Sequence, residues 1–342
     1  MNDIPLIICG FGNIGRAFAE LIEVKKKTLQ DEYGISFLCK AIIEINGSAV
    51  SQEGLPLMEI VSRVKQGKPP EDHPEYGRQS YNAFDALEEF EPGVFIECTP
   101  TDLQTGEPGL SHVRAALRNK WHVVLANKGP LIKAFKELHD YAGEAGVSLK
   151  ISAAAAAALP TIDVGEVSLA GTELLKFEGV LNGTTNYILT RMFCHDESYQ
   201  DALKQAQDLG IAEANPVLDV EGWDTANKTL IIANTLMGCG LQLSDIDVSG
   251  IASINENYIR GIKESGKTVK LIGKAERTGG QVKAVVKPEV LDREHPLFNV
   301  NGGEKGIVFI SDTLGKIVVT GGESSTTGTA ASILKDIINI YR

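Results

Sequence analysis

Ile4-Pro-Leu-Ile-Ile-Cys-Gly10-Phe-Gly-Asn-Ile-Gly15, continuing into Arg16-Ala-Phe-Ala-Glu-Leu-Ile22, is the stretch whose reading decides the fold. A short apolar run ends in a glycine-rich turn, after which Ala17, Phe18, Leu21, Ile22 and Val24 recur at helical spacing. Strand, turn and helix in that order form the context that makes G-x-G-x-x-G a dinucleotide-binding signature. The glycines do different things. Gly10 permits the tight turn, Gly12 lets a pyrophosphate approach the backbone, and Gly15 lets the helix pack closely on the strand. Phe11, Asn13 and Ile14 complete the loop, and the phosphates are expected at the positive end of the helix.

A second strand, Ser36 to Ile43, ends at Glu44, an acidic residue suited to ribose hydroxyls. Glu44 comes later than the roughly 20 residues usual after the fingerprint. The segment Lys25 to Gly34 reads as a frayed, solvated connection that accounts for the delay. The absence of a nearby arginine leans toward NAD, while Arg63, Lys65 or Lys68 could serve a 2′-phosphate, so NAD and NADP both stay open.

Gly93 to Cys98 and Trp121 to Ala126 read as further buried strands, separated by a helix over Leu110 to Asn119. Ligands of open parallel sheets bind beyond the carboxyl ends of the strands, where Thr99, Pro100, Asn127 and Lys128 fall. Helix Leu131 to Gly146 and strand Val147 to Ile151 complete a Rossmann-type, doubly wound parallel sheet over residues 1–150.

Beyond Ser152 run six alanines, Ala153 to Ala158, and then Leu159-Pro160. Such small side chains suit a backbone-lined crevice or an alanine-rich helix start. Residues 173–188 read as strand, turn at Asn182-Gly183-Thr184, and helix, followed by a helix over Asp201 to Leu209. Strand-like runs between 269 and 320 suggest a mostly antiparallel sheet, giving an α+β catalytic and dimerisation domain over 151–321. The tail, 322–342, reads as a glycine-rich loop feeding an amphipathic helix that packs back on the first domain.

Between these elements lies Gly210 to Lys228, where Glu213, Asp219, Glu221 and Asp224 gather with Lys228 ahead of an apolar helix. If Asp224 starts that helix, Lys228 lies one turn along the same face and its ammonium meets the carboxylate. Alone, the pair reads equally as a helix-start salt bridge.

Across 342 residues the chain is 43% hydrophobic and 23% charged, which excludes disordered and fibrous classes. Its formal charge of −12 argues against nucleic acid or anionic membrane partners. Five widely spaced cysteines form no C-x-x-C pair and no spacing with histidine that suggests a zinc site, so they read as buried, reduced thiols. No signal peptide or membrane span is visible, and a cytoplasmic protein is expected.

The fingerprint, Thr99-Pro-Thr, Ala126-Asn-Lys-Gly-Pro, Leu181-Asn-Gly-Thr-Thr-Asn-Tyr and the Ala212-Glu213 to Lys228 segment, in this order, resemble homoserine dehydrogenase over nearly the full length. The resemblance implies reversible, NAD(P)-dependent reduction of L-aspartate-4-semialdehyde to L-homoserine, in threonine, methionine and isoleucine synthesis, by a homodimer built on the second domain's sheet. Carried over by position, it makes Lys228 and Lys128 catalytic, with Asp224 orienting Lys228. Glu213, Asp219 and Asp224 become substrate-binding carboxylates, Gly183 and Thr184 a turn beside substrate and nicotinamide, and Gly322 a cofactor contact.

Two departures bear on chemistry. The family commonly carries Glu-Ala-x-Val-Gly-x-Gly before the proline matching Pro160, and uses the glutamate and backbone carbonyls for sodium or a similar ion. Here Ser152 takes the glutamate's place and alanines replace the glycines, leaving only the backbone of Ala155, Ala157 and Leu159 for a cation, so at most weak monovalent-ion dependence is expected. Glu323-Ser-Ser replaces a glycine-alanine-glycine loop. The chain ends just after its last helix, so threonine feedback through a fused regulatory domain is not expected.

Two rival readings remain at this point: a cysteine-dependent aldehyde dehydrogenase using Cys98, with His112 or His122 as base, and a non-catalytic dinucleotide sensor.

Overall fold

The protein is described from a computed structural model covering residues 2–322 and 325–342. By internal contacts it divides into two compact units, 1–154 with 325–342, and 155–324.

In the first unit β1 (Asn2–Cys9) carries Leu6, Ile7 and Ile8 with no exposure at all, as expected of a strand covered on both faces. It is followed by α1 (Asn13–Val24), α2 (Lys26–Tyr33), β2 (Ile35–Ile43), β3 (Gly47–Val50), α3 (Leu57–Lys65), β4 (Gly77–Gln79), α4 (Ala83–Glu89), β5 (Val94–Glu97), α5 (Gly109–Arg118), β6 (His122–Leu125), α6 (Gly129–Ala145) and β7 (Leu149–Lys150). The strands assemble in the order β4-β3-β2-β1-β5-β6-β7. The five from β2 to β7 run parallel, whereas β3 pairs antiparallel with both β2 and β4. The doubly wound sheet therefore has an antiparallel edge, built from residues between Glu44 and Gly93 whose apolar runs are too short to announce themselves.

Lys25 to Gly34, expected as a frayed connection, is largely helical. Lys26, Lys27, Gln30 and Glu32 are good helix formers, Leu29 anchors the inner face at 2% exposure, and Gly34 ends the helix in the left-handed region at φ 66°.

The second unit begins with the short turns α7 (Ser152–Ala155, which opens in the first unit) and α8 (Thr161–Asp163). β8 (Leu174–Val180), α9 (Gly183–His195), α10 (Tyr199–Asp208), α11 (Val217–Val220) and α12 (Trp223–Met237) follow. Then come β9 (Ile246–Val248), α13 (Glu256–Glu264), β10 (Thr268–Thr278), β11 (Gln281–Leu291), β12 (Lys305–Ser311) and β13 (Gly315–Gly321). The sheet order is β13-β12-β8-β10-β11-β9, antiparallel except for the β9–β11 pair. α12 lies close on β10, since a Cβ on Gly273 would sit 2.2 Å from Thr229 Oγ1. That contact fixes the helix that carries Asp224 and Lys228.

The last helix, α14 (Thr326–Tyr341), belongs to the first unit, where Ala330, Ile333, Leu334 and Ile337 join the core containing Phe18 and Ile22 of α1. Among the described residues no helix is long and apolar enough to cross a membrane.

Candidate functional site

The dinucleotide half is built around the loop between β1 and α1. Gly10 has φ 87°, and a Cβ there would lie 2.6 Å from the backbone of Cys98 and Thr99. A Cβ on Gly15 would meet the Gly10 carbonyl oxygen at 2.3 Å, so both positions require glycine. Gly12 differs: nothing lies within 4 Å of its Cβ position. It is the N-cap of α1, has no side-chain cap, and the first turn carries no acidic residue. An open space over an uncapped helix N-terminus fits a phosphate.

Glu44 reaches this loop, where its Oε1 accepts from the Phe11 N–H. Arg16, which sequence reasoning misses, donates to the Phe11 carbonyl at 3.1 Å and to Asn13 Oδ1 at 2.8 Å, placing a guanidinium beside the loop. Its only signal is its place in the first turn after the fingerprint. Arg63 bonds the Asp72 carbonyl and Lys65 pairs with Glu20.

At the neighbouring strand ends, Thr99 donates through both its N–H and hydroxyl to Glu97. Asn127, 1% exposed, donates to Thr99 Oγ1 at 3.1 Å and Pro100 O at 3.4 Å, and accepts from Gly129 N–H at 2.9 Å. Lys128 is the N-cap residue of α6 and its N–H donates to Thr101 Oγ1 at 3.4 Å.

Although no histidine lies near Cys9 in sequence, the fold brings His112 Nδ1 to 3.4 Å from Cys9 Sγ and 3.0 Å from Glu97 Oε2. It is the one group of potential metal ligands among the described residues. Burial, reinforced by Glu97, pushes the Cys9 thiol well above its ordinary value, and the three side chains form a hydrogen-bonded brace between β1, β5 and α5. Burial and Glu97 likewise push up the Cys98 thiol, which disfavours Cys98 as a nucleophile. Not every cysteine is buried: Cys194 is exposed.

The second unit gathers a carboxylate cluster around Asn182. This residue caps α9 by accepting from Thr185 N–H at 2.8 Å. Its Nδ2 donates to Asp219 Oδ1 at 2.6 Å and Asp224 Oδ2 at 2.8 Å. Asp224, in the first turn of α12, lies 2.6 Å from Lys228 Nζ, which also donates to the Leu181 carbonyl at 2.9 Å. Two of the three ammonium donors are thereby accounted for. Gly183 and Thr184 are buried beside them, with Thr184 Oγ1 donating to Ile211 O at 3.0 Å. Desolvation, then the charge of Asp224, raises the Asp219 carboxyl above its ordinary value. Glu213 stands apart: it is exposed, and its carbonyl accepts from Gln207 at 3.2 Å. Glu221 is exposed as well.

Several polar groups of the alanine loop are already hydrogen-bonded within the protein. Ser152 donates through its hydroxyl to Asp336 at 2.8 Å and accepts from Lys335 at 2.9 Å. The Leu159 carbonyl accepts from Thr161 N–H at 2.8 Å, and the Ala156 carbonyl accepts from the buried Lys305 Nζ at 2.8 Å. Ala157 sits at φ 52°, a conformation costing a non-glycine residue about 1–2 kcal/mol. Gly322 packs on this loop, where a Cβ would meet Leu159 N at 2.7 Å. Glu323 and Ser324 of the altered loop lie outside the described residues.

The chain is similar over nearly its whole length to known proteins. A family model described as homoserine dehydrogenase matches residues 160–338, and one described as homoserine dehydrogenase, NAD binding domain, matches 10–152. A homoserine dehydrogenase of Methanocaldococcus jannaschii is 38% identical over 342 residues, covering 99% of this chain and 98% of the relative. An NAD(+)-dependent homoserine dehydrogenase of Pseudomonas canavaninivorans is 32% identical, covering 100% of this chain and 97% of the relative. A solved structure from Archaeoglobus fulgidus, provisionally described as a homoserine dehydrogenase, superposes with a TM-score of 0.88 at 33% identity, over 99% of each chain.

Proposed function

The chain belongs to the homoserine dehydrogenase family, and from that premise we propose how its residues divide the work. It is an NAD(P)-dependent oxidoreductase acting on a CH–OH group, interconverting L-homoserine and L-aspartate-4-semialdehyde. The rival cysteine-dependent and non-catalytic readings find no support in the relatives.

A bound nicotinamide dinucleotide supplies the hydride for reduction or accepts it in the reverse direction. The N–H groups at the start of α1, over the open face of Gly12, hold the pyrophosphate, and Glu44 accepts from ribose hydroxyls. Phe11, Asn13 and Ile14 border this site, as do Thr99, Pro100 and Asn127 at the strand ends.

Lys228 places its remaining donor on the substrate's carbonyl oxygen, stabilises the alkoxide that forms there, and delivers the proton. Asp224 orients that ammonium, and Lys128 is the second lysine that the family resemblance makes catalytic. Asp219 accepts from the neutral Asn182 amide, and its charge is given to the substrate's ammonium. Glu213 is the second carboxylate assigned to that amine. The observation carrying the reading is the convergence of Asp219 and Asp224 on Asn182, with Lys228 bonded to Asp224: a carboxylate pair joined to a proton donor. Following absorbance at the reduced nicotinamide while homoserine is offered with NAD and NADP in parallel tests it: turnover with either supports the assignment, and none with both contradicts it.

A cytoplasmic role in threonine, methionine and isoleucine synthesis accords with the five free cysteines. We also propose a homodimer on the six-stranded sheet. Side-chain alternation puts Lys176, Glu178, Lys274 and Ile310 on the face away from α12, where Lys176 and Glu178 pair at 2.7 Å and leave a partly apolar surface for a second copy. Light scattering on the eluted protein distinguishes dimer from monomer.

A further inference from the structure

Lys305, the first residue of β12, is 2% exposed, and its Nζ donates to the Ala156 carbonyl at 2.8 Å. A buried lysine ordinarily costs stability unless something holds its head group. Here the partner is a backbone oxygen of a loop that already carries Ala157 at φ 52° and has its Leu159 carbonyl engaged by Thr161. Lys305 also feels the Lys228 ammonium and the Asp224 carboxylate, so its head group lies within electrostatic reach of the proton-donating pair.

We infer that Lys305 Nζ is the built-in occupant of the alanine loop, a tethered substitute for a free monovalent cation, and that it positions the loop beside the Asp224–Lys228 pair without any added ion. Three observations converge on this. The loop has no carboxylate of its own, because Ser152 stands at its start with its hydroxyl already bonded to Asp336. One of its carbonyls is capped by the lysine, and another by Thr161. The strained Ala157 directly follows the carbonyl that Lys305 holds together with the Leu159 N–H at 3.3 Å, so losing the lysine removes the stronger of two restraints on the turn. Burial pushes Lys305 down to about 7, and its proton is best retained on the acid side of neutrality.

The experiment compares sodium, potassium and tetramethylammonium chloride at one ionic strength and at pH 6.5, using dialysed wild-type enzyme and the K305M variant. Wild-type kcat and KM are expected to vary by less than about twofold across the three salts, because Lys305 already occupies the loop. K305M is expected to lose activity by about tenfold, mainly in kcat, and to regain part of it with sodium, potassium or ammonium but not with tetramethylammonium. Its melting temperature should rise with the same ions, since an ion that binds only the folded state stabilises it by mass action. A steric filler would give neither the rescue nor the ion-dependent melting. The activity arm rests on the dehydrogenase reading, while the melting arm does not, so their failures are distinguishable. Strong activation of wild type by sodium or potassium over tetramethylammonium overturns the inference, as does a K305M protein with wild-type kinetics and no ion response. Should K305M not fold, the wild-type salt series alone decides.

Discussion

Asn182 Nδ2 lies 2.8 Å from Asp224 Oδ2, and its other proton goes to Asp219 at 2.6 Å, so one neutral amide holds two carboxylates that would otherwise repel. The same side chain caps α9. Asn182→Ala therefore removes a cap worth about 1 kcal/mol and leaves the two acids unbridged. Calorimetry should show a lower melting temperature, and steady-state kinetics a higher KM for homoserine. Unchanged values of both would mean the amide holds nothing together.

The three glycines of the fingerprint should separate experimentally. At Gly10 and Gly15 an added methyl runs into backbone at 2.6 and 2.3 Å, so Gly10→Ala and Gly15→Ala should fold poorly. Gly12→Ala should melt near wild type, because its Cβ meets nothing within 4 Å, yet weaken dinucleotide binding by about tenfold. Fluorescence titration of the cofactor beside a melting curve reads both.

Asp219 gives a pH-dependent prediction whose sign follows from its environment. Desolvation and Asp224 raise its folded carboxyl above the unfolded value, so the folded state binds more protons in the interval just above that value. Stability then falls as pH rises through this window, and at neutral pH the ionised group is a net burden. Asp219→Asn should raise the melting temperature at pH 7, with the gain fading below pH 4, while KM for homoserine increases. A melting temperature that falls at pH 7 would reverse the assigned shift.

Lys305 titrates with the opposite relation. Its folded value of about 7 lies below that of a free lysine, so the unfolded chain binds more protons at alkaline pH. Wild type should gain stability relative to K305M as pH rises from about 7 to about 10. Denaturant midpoints at several pH values, compared between the two proteins, check it.

What is legible in the sequence is what is local. β1, the glycine turn and α1 are contiguous, each supplied with its own periodic or conformational signal, and the Asp224–Lys228 pair follows from one helical turn. α2 escapes such a reading because one buried leucine among charges gives almost no periodicity. The antiparallel edge formed by β3 and β4 escapes it too, since strands of four and three residues carry no pattern. Relations across long separations are hidden for a different reason. Asn182 announces a helix cap, and nothing in its neighbourhood says that its amide also joins Asp219 and Asp224. Lys305 looks like an ordinary surface lysine until β12 turns it inward to Ala156, and His112 meets Cys9 only because β1 and α5 converge.

The most direct test of the proposed chemistry is kcat for homoserine oxidation by Lys228→Met, measured on protein whose circular dichroism and cofactor affinity match wild type. With its ammonium as proton donor and alkoxide stabiliser, kcat should fall by about two to four orders of magnitude. A kcat within about threefold of wild type would contradict the role given to Lys228 and, with it, the assignment of the Asp219–Asn182–Asp224 cluster as the substrate half of the enzyme.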